Sequence, residues 1–183
     1  IGYSSLADRL ASIPLAAELG GAEQVVVVQT GVDGGELPEG AGVEVDRLEA
    51  GGATVVVLRS RGVAKSRNEA LRQATRRYLL FCDDDVTVDL GGVAEAVAHL
   101  RETGAALALC RAVDETGAFR KSYPERVTPL TLRNSGKAAT YEMIADVEQL
   151  RAAGVAYDER FGAGADLYLG DEYILIADML RAG

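Results

Sequence analysis

Two cysteines in 183 residues, Cys82 and Cys110, leave no room for a disulfide framework or a thiolate zinc site. Both sit inside apolar runs, which suits buried thiols in a reducing compartment. Basic charge is the second shortage. Against 28 Asp and Glu stand 19 Lys and Arg, a formal net charge of −9, so the chain as a whole repels a phosphate backbone and nucleic acid is excluded as a general partner. Any phosphate ligand must be met locally, by clustered basic groups, backbone N–H groups or a metal ion. No apolar run approaches the roughly 18 residues that span a bilayer, and no basic segment with a cleavage site opens the chain. A soluble, cytoplasmic protein is the expectation. The single histidine, His99, lies in a helical pattern and fits a surface position.

Several chemical signatures are missing as well. No Gly-x-Gly-x-x-Gly follows a strand and opens a helix, which argues against a dinucleotide oxidoreductase. "NSGKAA" has the Gly-Lys of a phosphate loop without the earlier glycine or the following Ser/Thr, and no Gly-x-Ser-x-Gly nucleophile elbow occurs. Internal repeats and low-complexity tracts are absent too.

What is present is enough apolar sequence, 48%, for one sizeable core and one domain. "EQVVVVQT" (23–30) and "ATVVVLRS" (53–60) are β-branched runs bounded by turns, and both suit strands covered on two faces. "AKSRNEALRQATRR" (64–77) carries Ala70, Leu71 and Ala74, with Tyr78 just after it, at helical spacing, and "YLLFC" (78–82) reads as the next buried strand. Strand, helix, strand implies a parallel crossover. A helix over 91–104 ended by glycine, a strand over 105–113, a strand over 139–146, a short helix after it and a helix from about Asp171 to Arg181 complete the pattern. The fold class is therefore α/β, an open, mostly parallel sheet flanked by helices. Residues 114–138 lapse into polar, Pro- and Gly-containing sequence, a stretch expected to serve a site rather than the core.

"LLFCDDDVTVD" (79–89) carries an apolar strand straight into Asp83, Asp84 and Asp85. In an open parallel sheet, ligands bind beyond the carboxyl ends of the strands, where these acids fall. Clustered carboxylates raise one another's pKa, and a hard divalent cation would relieve the repulsion, with its remaining positions on water and substrate phosphates. The alternative is a solvated acidic turn in which Asp84 or Asp85 caps a helix. Upstream, Ser66 followed by Glu69 has the pattern of a capping box, which would start a helix there and set Arg67 and Asn68 in its first turn. With Lys65 beside it, that helix start is a candidate anion site in an acidic protein.

These stretches resemble the middle of a family 2 glycosyltransferase with the GT-A fold. "RGVAKSRNEALRQATRRYLLFCDDDV" is similar to that family's Ser/Ala-Arg-Asn helix start followed by a hydrophobic strand ending in Asp-x-Asp, and "YDERFGAGADLYLGDEYILIADMLRAG" to its later Gly-rich stretch with two acids opening a helix. The resemblance implies a single domain whose donor half runs to about residue 113, with the acceptor side over about 114–183. It implies a hexosyltransferase-type enzyme that moves a sugar from a nucleotide diphosphate donor, UDP-type favoured, to an unidentified acceptor hydroxyl with inversion. Asp83 would lie near the donor's ribose and metal, Asp85 would hold Mn2+ or Mg2+ bridging the diphosphate, and Asp84, Lys65, Arg67 and Asn68 would line the donor side. Glu172 would be the general base, with Asp171 as helix cap and fallback. The chemistry needs such a carboxylate, because a sugar hydroxyl is a weak nucleophile until its proton is taken.

Two departures from the family pattern stand out. A first strand ending in a Pro-x-Tyr-Asn-like turn is not evident, and residues 1–5 read as its remnant. Gln29 stands where an acid usually reads the base; its amide can donate and accept, which still suits a uracil or thymine edge. The Gln-x-x-Arg-Trp signature of processive synthases is missing, which favours single additions. A sugar-phosphate nucleotidyltransferase and a non-catalytic nucleotide-sugar-binding module remain as rival readings.

Overall fold

The computed structural model describes residues 1–183. One six-stranded sheet runs through it, with β1 (Gly2–Leu6), β2 (Val25–Gln29), β3 (Thr54–Leu58), β4 (Tyr78–Asp83), β5 (Leu107–Leu109) and β6 (Met143–Asp146) in the order β3-β2-β1-β4-β6-β5. β1, β2, β3 and β4 are mutually parallel, and β6 runs antiparallel to both of its neighbours. The expected open, mostly parallel sheet is thus present. Five helices flank it: α1 (Ala41–Ala50), α2 (Val63–Gln73), α3 (Leu90–Thr103), α4 (Val147–Ala153) and α5 (Asp171–Ala182). None of them is long and apolar enough to cross a membrane.

Alternation along the strands divides the core between the two faces. Val25, Val27, Leu79, Phe81, Met143 and Ala145 pack with residues of α2, α4 and α5 on one side, while Tyr3, Val26, Val28 and Cys82 pack with Ala41 and Leu48 of α1 on the other. Leu80 and Ile144 meet Leu100 of α3 beyond them. Ile144 is 1% exposed on the antiparallel strand that joins the two halves of the chain. Ile144→Val removes one methylene there and is expected to cost about 1 kcal/mol, read as a lower denaturant midpoint at unchanged slope.

Several local expectations are corrected. The first strand is present as Gly2–Leu6 and lies at the centre of the sheet, between β2 and β4. β3 is not covered on both faces; it is an edge strand with Val57 exposed, because β-branched composition marks a strand without marking its place in the sheet. α2 begins three residues before the Ser66–Glu69 pattern. Ser66 Oγ donates back to the Val63 carbonyl at 2.9 Å, Glu69 is engaged by Arg72 and Gln73, and no side chain caps the helix. Its first amide, Val63 N–H, donates instead to Ala163 O at 2.8 Å, a partner a hundred residues away that no local pattern reveals. Similarly, α3 is capped by Asp89, not by Asp84 or Asp85, and α5 follows Gly170 with no capping side chain, so Asp171 is not a cap.

The strand order places the site. From β1 the chain winds outward through β2 and β3, then returns across α2 to lay β4 on the other side of β1. The direction of winding reverses between β1 and β4, and the crevice beyond their carboxyl ends is where such sheets bind ligands.

Candidate active site

Asp83 closes β4, and the turn that follows sends the three aspartates to different places. Asp84 points inward and is 7% exposed; its carboxylate accepts the Ser5 hydroxyl at 2.6 Å and pairs with Arg9 at 2.8 Å. The Ser12 hydroxyl donates to the Asp84 carbonyl at 2.8 Å, fixing the turn from below. Asp85 is largely in solvent, with its side chain 69% exposed and Arg9 3.5 Å away. Asp83 is half-buried, 3.6 Å from Arg67. Burial pushes its carboxyl above the ordinary range, the Arg67 charge opposes this, and the Asp85 and Asp84 charges add to it. Two arginines of the chain itself therefore offset much of the repulsion among the three acids.

No three acidic, histidine or cysteine side chains converge on one point suited to a metal ion. The oxygen donors Asp83 and Asp85 nevertheless fit a hard cation that takes one or two carboxylates and leaves its other positions to water and phosphate. Asp84 is occupied by Ser5 and Arg9 and is not part of that set.

A second group of acids comes from α5. Glycines at 162 and 164 let the loop before that helix press against α2. Gly162 has φ +94°, and a Cβ on it would stand 2.9 Å from both the Asp171 carboxylate and Val63; one on Gly164 would meet the Gly62 backbone at 3.0 Å. The sequence pattern left open whether these glycines serve a turn or a ligand; the close approach found is to the Asp171 and Val63 side chains at Gly162 and to backbone at Gly164. Gly162→Ala is expected to cost about 1–2 kcal/mol through its backbone conformation alone. The loss is read as a lower midpoint in thermal melting.

The close approach brings Asp171 and Glu172 to Arg67. The Arg67 guanidinium, its side chain 7% exposed, makes a short charge-assisted hydrogen bond to Asp171 and lies 3.7 Å from Glu172. It also sits 5.6 Å from the centre of the Tyr157 ring. Glu172 accepts the Thr140 hydroxyl at 2.8 Å and keeps its side chain 23% exposed, against 5% for Asp171. Burial, opposed by Arg67 and reinforced by the Glu172 charge, raises Asp171 to about 6. Burial also pushes Glu172 upward, but the Thr140 hydroxyl, its own backbone amide and Arg67 outweigh it, and the carboxyl ends below the ordinary glutamate range. The more accessible acid of the pair is the one held ionised.

The remaining candidates divide. Lys65 is about a third exposed, 3.8 Å from Asp33 in the loop after β2. Asn68 braces the loop after α4, accepting Tyr157 N–H at 2.8 Å and donating to Tyr157 O at 2.9 Å. Gln29 is buried at 6% exposure and donates its amide nitrogen to Gly62 O at 2.9 Å, so that donor is engaged in holding β2 to the segment before α2. The α2 start, with its first amide taken by Ala163, is not the open anion site its sequence suggests. Sequence reasoning missed Ser5, Arg9 and Thr140. Recognition of the first strand would have pointed to Ser5 and Arg9; nothing near Thr140, in a 3-10 turn before β6, signals its partner.

Comparison with known proteins follows the same outline. The family profile described as "Glycosyl transferase family 2" matches residues 32–153, a span that includes Asp83, Asp84 and Asp85 and stops before Asp171 and Glu172. No curated protein sequence matches the chain. Among solved structures, S. aureus TarS 1-349 superposes with a TM-score of 0.64 at 18% identity, over 98% of this chain and 55% of that one. The same S. aureus protein in complex with UDP-GlcNAc gives 0.58 at 19% identity over 96% and 54%, and in complex with UDP gives 0.54 at 19% over 100% and 55%. The chain spans about half the length of the structures it matches, and the likeness is one of fold: the sheet and its helices are GT-A-like.

Proposed function

We propose, from the premise that this chain belongs to glycosyl transferase family 2, that it binds a nucleotide diphosphate sugar between the ends of β1 and β4 and transfers the sugar to an acceptor hydroxyl. The observation that carries the reading is the placing of two differently disposed acid groups around Arg67, which lies 3.6 Å from Asp83 and 3.7 Å from Glu172. Asp83 and Asp85 stand at the strand end, and an ionised, partly accessible Glu172 stands on α5. Asp83 and Asp85 would hold Mn2+ or Mg2+, which when bound supplies Lewis-acid stabilisation of the leaving diphosphate. Glu172 takes the acceptor proton as the hydroxyl oxygen bonds to the anomeric carbon and the bond from that carbon to the diphosphate oxygen breaks. A single base acting on the acceptor hydroxyl corresponds to a single displacement with inversion, the outcome that the family resemblance implies.

Arg67 and Thr140 hold Glu172 in place, and the Asp171–Arg67 bond leaves Asp171 the poorer candidate for base. A UDP-type donor is favoured by the ligands seen in the S. aureus structures. Acceptor choice is assigned to residues 114–138 and 161–169, which flank α5 and carry exposed Leu132, Leu167, Tyr168 and Leu169.

The test is thermal unfolding with a panel of nucleoside diphosphates and their sugars, with and without manganese, since a ligand that binds only the native state raises the midpoint by mass action. A metal-dependent shift for one nucleotide, lost in Asp85→Ala, is the expected result. No shift with any nucleotide or metal would replace this reading with a domain that does not bind nucleotide sugars.

A further inference from the structure

The geometry points to Arg67 as a positioning residue: a single buried guanidinium on α2 that holds the donor-side acid Asp83 and the acceptor-side pair Asp171 and Glu172 in one fixed arrangement. This rests on the reading of Glu172 as base and goes beyond it by giving Arg67 a role other than phosphate binding.

Three observations carry the assignment. First, Arg67 is enclosed: its side chain is 7% exposed and packs over the Tyr157 ring. It would have to leave three carboxylates to reach a diphosphate, whereas Lys65 and Arg9 are exposed enough to do so without rearrangement. Second, the stoichiometry is wrong for an ordinary structural ion pair. One cation faces Asp83 at 3.6 Å, Glu172 at 3.7 Å and Asp171 at hydrogen-bond distance, while its Nε–H is buried with no partner at all. Stability alone would favour a matched pair with every donor satisfied, because an unpaired buried polar group is costly. Third, the partners come from β4 and α5, elements that share no other ion pair, so Arg67 is where the end of the donor strand and the start of the base helix are tied together. A planar fork can span several carboxylates at once, and a lysine ammonium cannot do so in the same geometry.

The experiment compares Arg67→Lys, Arg67→Met and the double variant Arg67→Met/Asp171→Asn with the wild type, with Glu172→Gln alongside. Midpoints, the nucleotide-induced midpoint shift, kcat and donor KM are measured for each. Arg67→Met is expected to lower the midpoint, since Asp171 is left buried and unpaired. The double variant should recover most of that loss. Its kcat should remain about 100-fold below wild type, the cost of a misplaced catalytic group, with donor KM and the nucleotide shift within about threefold. Arg67→Lys should fold normally and recover no more than about a tenth of kcat, since it restores charge without the fork.

Wild-type kcat in the double variant or in Arg67→Lys, with Glu172→Gln inactive, overturns the positioning role and leaves the base assignment standing. A donor KM that rises in step with the fall in kcat/KM also overturns it, because Arg67 would then be binding the donor. Full activity in Glu172→Gln instead removes the base reading itself, whatever the Arg67 variants do.

Discussion

Glu172→Gln is expected to lower kcat by about 10²–10⁴, the usual contribution of a positioned general base, while donor binding and the folding midpoint stay close to wild type. Glutamine keeps the shape and can still accept the Thr140 hydroxyl that Glu172 accepts at 2.8 Å. It cannot take the acceptor proton. The electrostatics add a pH signature. Glu172 sits below the ordinary glutamate range, so the base is ionised throughout neutral pH. Burial raises Asp171 to about 6, so a change in kcat/KM near pH 6 that vanishes in Asp171→Asn is the signature of that residue, as distinct from Asp83, which burial also pushes up. The same shift has a definite sign for stability: a carboxyl raised in the folded state favours folding below its unfolded value of 3.8 and loses that contribution as pH rises through about 6. Steady-state kinetics across pH, together with melting curves, separate the two acids. If kcat survives in Glu172→Gln and falls in Asp171→Asn, the base is Asp171.

The three consecutive aspartates are expected to behave as three different residues, and Asp85→Ala should show the second large effect. Its side chain is 69% exposed and its only ionic partner, Arg9, lies 3.5 Å away, so removal should change stability by no more than about 0.5 kcal/mol. Transfer should nevertheless fall by about 10²–10³, the scale of several kcal/mol of charge stabilisation at the leaving diphosphate, and the manganese-dependent part of the nucleotide shift should disappear. Asp84→Ala should do the opposite. That carboxylate is buried against the Ser5 hydroxyl and Arg9, and losing it costs about 2 kcal/mol through its charge-assisted hydrogen bonds. Its midpoint should drop whether or not metal is present. Equal melting behaviour in the two variants would mean the acids share one role, against the geometry of the turn.

Much of this protein was legible in one dimension. β-branched runs such as Val25–Val28 and the apolar Leu79–Cys82 announced strands, the helical spacing after Ala64 announced a crossover, and together they implied an open parallel sheet with acids at a strand end. Those inferences succeed because side-chain periodicity reports burial on one face or two, a local property. The same locality explains the errors. Ser66 and Glu69 have the letters of a capping box, yet the helix starts at Val63 because its first amide is satisfied by Ala163. Asp171 has the letters of a cap and is instead a ligand of Arg67. Arg67 and Asn68 looked like a cationic, polar helix start; the fold turns one toward three carboxylates and the other toward the Tyr157 backbone.

By itself, then, the sequence determined the class of fold, the strand that ends in the acids, and the presence of a second acidic pair at the start of the last helix. Only the tertiary structure decided what each of those charges is for. A carboxylate's role depends on which opposite charge and which hydroxyl the folded chain brings within about 4 Å of it, where Coulomb and hydrogen-bond energies become large. Ser5 and Asp84 are 79 residues apart along the chain, Thr140 and Glu172 32, and Arg67 and Asp171 104. Distance in sequence carries no information about them.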